Sequence, residues 1–205
     1  MVERQLRSRG IRDERVLAAF ERVPRHEFVT SQQRAEAYED RPLQIGEDQT
    51  ISQPYMHASM LEVTEIQPDD VVLEVGTGSG YQTALLAELA AEVFSIERFP
   101  SLAENAQRLL AHLNYANIVI TVGDGSAGLP SAAPFDVIVV SAAAPRPPEP
   151  LLQQLKEDGR LAIPLGDASE QWLHVLRKRK AGYSDQKLYP VRFVPLVGEH
   201  GFRAS

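Results

Sequence analysis

The residues best suited to chemistry fall in three short stretches, each following an apolar run: Glu74 with Gly76, Gly78 and Gly80; Glu97; and Asp124 with Gly125. Glycines at alternate positions after Val71-Val72-Leu73-Glu74-Val75 let the backbone take positive φ and leave no Cβ between the chain and a ligand. Glu97 closes the run Val93-Phe94-Ser95-Ile96, 17 positions after Gly80. At the carboxyl edge of a doubly wound sheet, an acidic side chain there accepts both hydrogens of a ribose diol. Asp124 follows Ile118 to Val122 at the same edge, where a carboxylate can accept from the exocyclic amine of an adenine, although Gly123-Asp124-Gly125 also has the composition of a plain turn. This is chemistry for holding a nucleoside, and the spacing narrows it. A dinucleotide fingerprint needs G-x-G-x-x-G, yet its last position falls on Tyr81 and the third glycine comes one residue early, at Gly80.

Such residues need a sheet to carry them. Apolar runs predict strands at 71–75, 93–97, 118–122, 136–140 and 160–165, and helical spacing predicts helices at 81–91, 102–113 and 149–156. Their alternation implies an α/β fold with a mostly parallel sheet covered on both faces. Trp172 to Arg179 and Val191 to Val197 are two further strand-like runs, expected antiparallel at the C-terminal edge of the sheet. Ser101 with Glu104 reads as a capping box for the second helix of the sheet region. Asp13 caps an earlier helix whose apolar side uses Val16, Leu17 and Phe20 and which Pro24 closes. Residues 30–60 carry Pro42, Gly46 and Pro54 with little periodicity, and an irregular segment that long is usually functional. With 205 residues and 43% hydrophobic content, the chain is expected to form one domain.

Composition removes several classes of function. A formal charge of −7 argues against a grip on nucleic-acid backbones, and Arg177-Lys178-Arg179-Lys180 lacks interleaved aromatics, so it reads as a solvated strand end or turn. Zero cysteines exclude disulfides, thiolate zinc sites and a cysteine nucleophile, and the five histidines show no H-x-x-x-H pairing that would hold a metal. The opening MVERQLRSRG leads into no apolar core of a signal peptide, and no stretch approaches the roughly 18 apolar residues of a membrane span. A cytoplasmic monomer with no membrane contact is the expectation.

The pattern E-x-G-x-G-x-G over residues 74–80 resembles the first motif of the S-adenosylmethionine-dependent methyltransferases, which implies a Rossmann-like fold. Gln49-Thr50-Ile51-Ser52-Gln53-Pro54, preceded by Arg41-Pro42-Leu43-Gln44-Ile45-Gly46, is similar to a segment of the protein-L-isoaspartate O-methyltransferases. Shorter stretches resemble the same family in the same order: Val23-Pro24-Arg25, Gly123-Asp124-Gly125, Ala133-Pro134-Phe135-Asp136, Ala142-Ala143-Ala144-Pro145 and Val191-Arg192-Phe193-Val194-Pro195-Leu196. The resemblance spans nearly the whole chain.

It implies methyl transfer from S-adenosylmethionine to the free α-carboxylate of L-isoaspartyl residues in damaged proteins and peptides, whose ester then closes to a succinimide. A carboxylate with a pKa of about 4 is ionised at neutral pH, so no general base is required. By the resemblance, Ser52 is the active-site hydrogen-bond donor and Thr50, Ile51, Gln53 and Ser141 bind substrate. Glu74, Gly76, Thr77, Gly78, Ser79, Gly80, Glu97, Asp124 and Gly125 hold the cofactor, with residues 1–62 as a helical, substrate-binding segment and 63–205 as the cofactor core. Local sequence alone assigns Ser52 to a turn or a helix N-cap, and His57 to packing or to the cofactor's vicinity rather than to base catalysis. Ser141 stands where many relatives carry threonine, which keeps the hydroxyl, and Val197 where some carry a threonine that touches the cofactor. A non-catalytic module that senses the nucleoside, or a methyltransferase of another substrate, are the alternatives, and an intact Q-T-I-S-Q-P segment favours the enzyme.

Overall fold

The computed structural model describes residues 1–203. In chain order its main elements are α1 (Glu14–Arg22), β1 (Leu43–Gly46), β2 (Gln49–Ile51), α2 (Pro54–Thr64), β3 (Val71–Val75), α3 (Tyr81–Ala87) and β4 (Glu92–Glu97). They continue as α4 (Pro100–His112), β5 (Ile118–Val122), β6 (Phe135–Val140), α5 (Glu149–Gln153), β7 (Leu155–Gly166), β8 (Gln171–Arg179) and β9 (Gly182–Val191). Seven strands form one sheet in the order β5-β4-β3-β6-β7-β8-β9, and β1 pairs with β2 in a separate ribbon. Strands β3 to β7 run parallel to one another, while β8 is antiparallel to β7 and β9.

The apolar runs are continuous because both faces of the central strands are covered. Val72, Val137 and Val139 point into the core shared with Leu17, Met60, Leu85 and Leu110, drawn from α1 to α4. Leu73, Val75, Ile138 and Val140, their chain neighbours, point the other way and pack with Leu151, Leu155 and Leu161. Period-two alternation therefore splits one hydrophobic run into two cores. Asp13 caps α1 as expected, accepting from Arg15 N at 2.8 Å, a contact worth ~1 kcal/mol.

Several expectations are corrected. Helix α3 ends at Ala87 rather than at 91, and α5 ends at Gln153 because β7 begins two residues later. Ser101 does not cap α4: the helix starts at Pro100 after Phe99, and the Ser101 hydroxyl donates to Glu47 Oε1 at 2.6 Å. The last strand spans 182–191 rather than 191–197. Residues 182–187 are exposed throughout, so this edge strand has no apolar alternation to read. Residues 30–60 are built rather than irregular, as helical turns, the β1–β2 ribbon and the start of α2. The basic run lies at the end of β8, where Arg177 pairs with Glu65, Arg179 pairs with Asp158 and Lys178 donates to the Leu155 carbonyl. Among the described residues no helix is long and apolar enough to cross a membrane.

Candidate active site

The strand order reverses between β3 and β6, and in open α/β sheets the crevice at that point is where ligands bind. Val75 ends β3 there, and Gly76, Gly78 and Gly80 turn the chain with φ of 98°, 55° and 87°. A Cβ at Gly78 would lie 3.2 Å from Ile45 Cδ1, and one at Gly76 would lie 3.4 Å from Ser141 Cβ. Glu97 fixes this turn from the end of β4: Gly78 N–H donates to its Oε2 at 2.8 Å and Phe99 N–H to its Oε1 at 3.0 Å. Each carboxylate oxygen keeps lone-pair capacity for a further donor, as a ribose diol requires. Thr77 is tied to Ser95 through their hydroxyls at 2.6 Å.

A cavity open to solvent lies in this crevice, against the glycine turn and the end of β4. Gly76, Thr77, Gly78, Ser79, Glu97 and Gly125 line it, together with Thr50, Ile51, Ser52 and Ser141. Ile45, Ile96, Phe99 and Leu196 add apolar walls against which a flat base can lie. The residues therefore fit a nucleoside ligand: a backbone cradle that a Cβ would fill, an acid at the end of the next strand, and apolar flanks.

Three of the expected cofactor residues stand off this wall. Gly80 lies behind it, where a Cβ would come 3.2 Å from both Ala106 and Leu110, so its missing side chain serves the packing of α4. Glu74 is wholly buried and accepts from Thr83 Oγ1 (2.5 Å), Ser95 Oγ (2.7 Å) and Gln82 Nε2 (3.2 Å). Burial pushes its carboxyl up to about 7 against those donors, with the charge of Glu97 adding to the rise. Asp124 is turned toward the C-terminal stretch: Oδ1 accepts from Ser126 N and Ser126 Oγ, and Oδ2 accepts from Glu199 N at 2.8 Å.

A second cavity opens beside the first, and Thr50, Ser52, Ser141 and Val194 line both. Gln53, Met56, Arg192 and Phe193 line the second and not the first. Ser52 lies at this junction, between β2 and α2. Among the described residues its hydroxyl has no hydrogen-bond partner, and Gln53, not Ser52, occupies the N-cap position of α2. The turn and cap readings of Ser52 therefore fail, and its hydroxyl is free to serve a ligand.

What holds Ser52 is Arg25, which the sequence did not single out. Its guanidinium is completely buried, donates to the Ser52 carbonyl and to the Ala37 carbonyl at 2.7 Å each, and lies 4.7 Å from the centre of the Tyr81 ring. Tyr81 in turn meets Phe20, Phe28 and His57 edge-on. His57 lines the cofactor-side cavity, and its Nδ1 lies 2.8 Å from Gln82 Oε1. Burial and then the Arg25 charge lower its pKa to about 3, so the imidazole is neutral and cannot gain a proton near neutrality, which agrees with a packing, cofactor-proximal role. Residues 192–197 cross the carboxyl edge of the sheet instead of joining it. Ala143 N donates to Val194 O at 2.8 Å, Leu196 N donates to Ala143 O at 2.7 Å, and Val197 lines the first cavity. Both backbone groups of Phe193 are clamped by the Gln171 side chain, at 2.7 and 3.2 Å.

A seven-stranded sheet with this order, a glycine turn at its switch point and an acid at the end of the adjoining strand define a Rossmann-like methyltransferase fold. The family model for protein-L-isoaspartate(D-aspartate) O-methyltransferase matches residues 1–201, and the chain belongs to that family. A protein-L-isoaspartate O-methyltransferase of Koribacter versatilis (strain Ellin345) is 54% identical over 202 residues, 98% of this chain and 91% of the relative. A solved protein-L-isoaspartate O-methyltransferase superposes with a TM-score of 0.89 at 31% identity, covering 98% of this chain and 67% of the other. A Plasmodium falciparum structure described as a protein-L-isoaspartate O-methyltransferase in complex with S-adenosyl-L-homocysteine superposes with a TM-score of 0.83 at 28% identity, covering 96% of each chain.

Proposed function

We infer that the protein transfers a methyl group from S-adenosylmethionine to the α-carboxylate of L-isoaspartyl residues in proteins and peptides, the first step of their repair. The observation that carries this reading is the pair of cavities meeting at Thr50, Ser52 and Ser141, one against the glycine turn and one open beside Gln53 and Arg192. A nucleoside cofactor in the first and a peptide in the second would bring the reacting atoms together beside the Ser52 and Ser141 hydroxyls.

The cofactor supplies a methyl carbon on a sulfonium, which leaves as a neutral thioether when a carboxylate oxygen attacks in line. The protein's part is placement. Gly76, Thr77, Gly78 and Ser79 present backbone, Glu97 accepts the ribose hydroxyls, Gly125 leaves room beside Val75, and the apolar wall takes the base. Glu74 and Gly80 support the turn from behind it. Asp124 reaches the adenine amine only through lone pairs its present hydrogen bonds leave unused. On the other side, Ser52 and Ser141 donate to the substrate carboxylate and Thr50 and Gln53 contact the neighbouring peptide, while Ile51, expected on the substrate side, is buried and lines only the cofactor-side cavity. Burying an anion is costly unless donors meet it, which is why hydroxyls rather than a base stand at the junction. Residues 1–62 supply most of the substrate wall, with Ser141 and residues 192–194 as the later part's contribution to it.

An isoaspartyl linkage moves one methylene from side chain to main chain and leaves a carboxylate directly on Cα. Normal aspartate presented in the same frame misplaces its nucleophilic oxygen by roughly 1 Å, an error that can cost on the order of 100-fold. Otherwise identical isoaspartyl and aspartyl peptides, incubated with methyl-labelled cofactor, test this. Base-labile label on the isoaspartyl peptide alone is expected, and equal labelling of both, or of neither, overturns the reading.

A further inference from the structure

We propose that Gln82 is a positioning residue for methyl transfer: held by Glu74, its amide directs the hydroxyl proton of Ser141 at the substrate carboxylate. The proposal rests on the isoaspartyl methylation reading and adds to it a residue on α3 that lines the first cavity and acts through Ser141.

The geometry leaves the amide one orientation. Gln82 is buried, and its Nε2 lies 2.7 Å from Ser141 Oγ and 3.2 Å from Glu74 Oε1, while its Oε1 faces His57 Nδ1 at 2.8 Å. A glutamine amide has two N–H donors on one atom and an acceptor on the other, and an ionised carboxylate only accepts. With Glu74 charged, reversing the amide would set its oxygen against the carboxylate. Nε2 therefore gives one hydrogen to Glu74 and one to Ser141, and Oε1 takes the Nδ1 hydrogen of the neutral His57.

The consequence falls on Ser141. Its oxygen accepts from Gln82, so its own proton is available for another acceptor, and among the described residues it has no other side-chain partner. Ser141 lies on the walls of both cavities, where the proposed carboxylate and methyl group meet. Without Gln82 no described side chain fixes the direction of that proton. Within the network the Gln82 amide has a partner at each end, Ser141 and Glu74 on Nε2 and His57 on Oε1, which fixes its direction.

Glu74 makes the orientation sensitive to protonation. The groups facing it are the hydroxyls of Thr83 and Ser95 and the Gln82 amide, with Glu97 the nearby charge; neutral His57 lies beyond Gln82 and the Arg25 charge beyond His57. Once protonated, Glu74 becomes a donor and no longer enforces the amide direction. Peptide methylation should accordingly rise with pH through about 7, the value to which burial raises this carboxyl.

The test measures kcat/KM for an isoaspartyl peptide and, by calorimetry, Kd for S-adenosylmethionine in wild type, Gln82→Met, Ser141→Ala and the double variant. Each single change should lower kcat/KM roughly tenfold or more, the loss of one hydrogen bond to a charged acceptor, with cofactor Kd within about twofold. The double variant should be no worse than Ser141→Ala alone, because both remove the same contact. The limb of the pH profile near 7 should vanish in Gln82→Met. Additive losses, a parallel loss of cofactor affinity, or an unchanged pH limb overturns the proposal. Should Gln82→Met fail to fold, Ser141→Thr and Ser141→Ala decide: threonine keeps the hydroxyl and should keep the rate, and equal rates in the two refute the role of Ser141. A wild type that labels no isoaspartyl peptide defeats the underlying reading instead.

Discussion

The two walls of the site are built by different means. The cofactor wall is made of backbone at the edge of a parallel sheet: positive φ at Gly76 and Gly78, with Glu97 holding the turn by an amide hydrogen bond. The substrate wall is made of a short ribbon and a helix start, fastened to the core by the buried guanidinium of Arg25. Rigidity comes from local covalent geometry in the first and from one distant side chain in the second. The first wall should therefore fail through steric change within it, and the second through loss of its remote anchor.

The largest expected effect breaks the first wall. Gly78→Val places a β-branched side chain at φ 55° and toward Ile45, and calorimetry should show S-adenosylmethionine affinity reduced roughly 100-fold or more. Retained affinity would show that the turn does not face the ligand.

Next comes the anchor. Arg25→Met strips the Ser52 and Ala37 carbonyls of their buried donor, and urea unfolding should show a loss of about 2–4 kcal/mol together with weakened peptide turnover. A stability loss with unimpaired turnover in the folded fraction would separate the anchor from the site.

Ser52→Ala tests the substrate wall at its surface. Peptide kcat/KM should fall roughly 10- to 100-fold while cofactor Kd and the melting temperature stay near wild type, since among the described residues the hydroxyl has no partner to lose.

The smallest effect compares two buried titratable groups, Glu74 on β3 behind the glycine turn and His57 on α2. Glu74 has its carboxyl raised to about 7, so between the ordinary 4.5 and 7 the native state holds a proton that the unfolded chain has released, and its contribution is lost as pH rises. His57 has its pKa lowered to about 3, so between 6.5 and 3 the unfolded chain binds a proton that the native state refuses, and stability is lost as pH falls. From about pH 4.5 to 6.5 the two slopes oppose, and wild-type unfolding free energy should be nearly flat. Glu74→Gln should expose the His57 slope, up to about 1.4 kcal/mol per pH unit. A variant as flat as wild type would mean that His57 is not buried neutral.

The same contrast explains what could be read from the chain. Strands β3 to β6 were legible to within a residue or so because burial on both faces leaves an unbroken apolar run, and the glycine turn and Glu97 followed from their ends. Strand β9 was not, because an edge strand exposed along 182–187 carries no such pattern. Periodicity also cannot tell which way a side chain turns at a strand end. Glu74 therefore counted as a wall residue when it points into the core, and Gly80 counted as a ligand glycine when it makes room for Ala106 and Leu110. Arg25 and Gln82 were invisible for a related reason: their roles arise from partners far away in sequence, Ser52 for one and Ser141 for the other. Ser52 itself was legible only by resemblance, since its local sequence equally suits a turn.

The hydrogen bonds at Asp124 bear on the ageing of the protein itself. Asp124 precedes Gly125, a pairing in which little side-chain bulk keeps the glycine nitrogen from closing on the aspartyl carboxyl group and starting the same isomerisation that creates isoaspartate. Ring closure requires a protonated carboxyl that is free to swing toward that nitrogen. Burial alone would favour protonation here, but donors from Glu199 and Ser126 outweigh it and hold the carboxyl below its ordinary range. With one oxygen pinned to Ser126 and the other to Glu199, the group is both charged and turned aside. The loop beside the cofactor cavity is thereby shielded from the lesion that the enzyme's substrates have suffered, for as long as the C-terminal stretch stays docked on it.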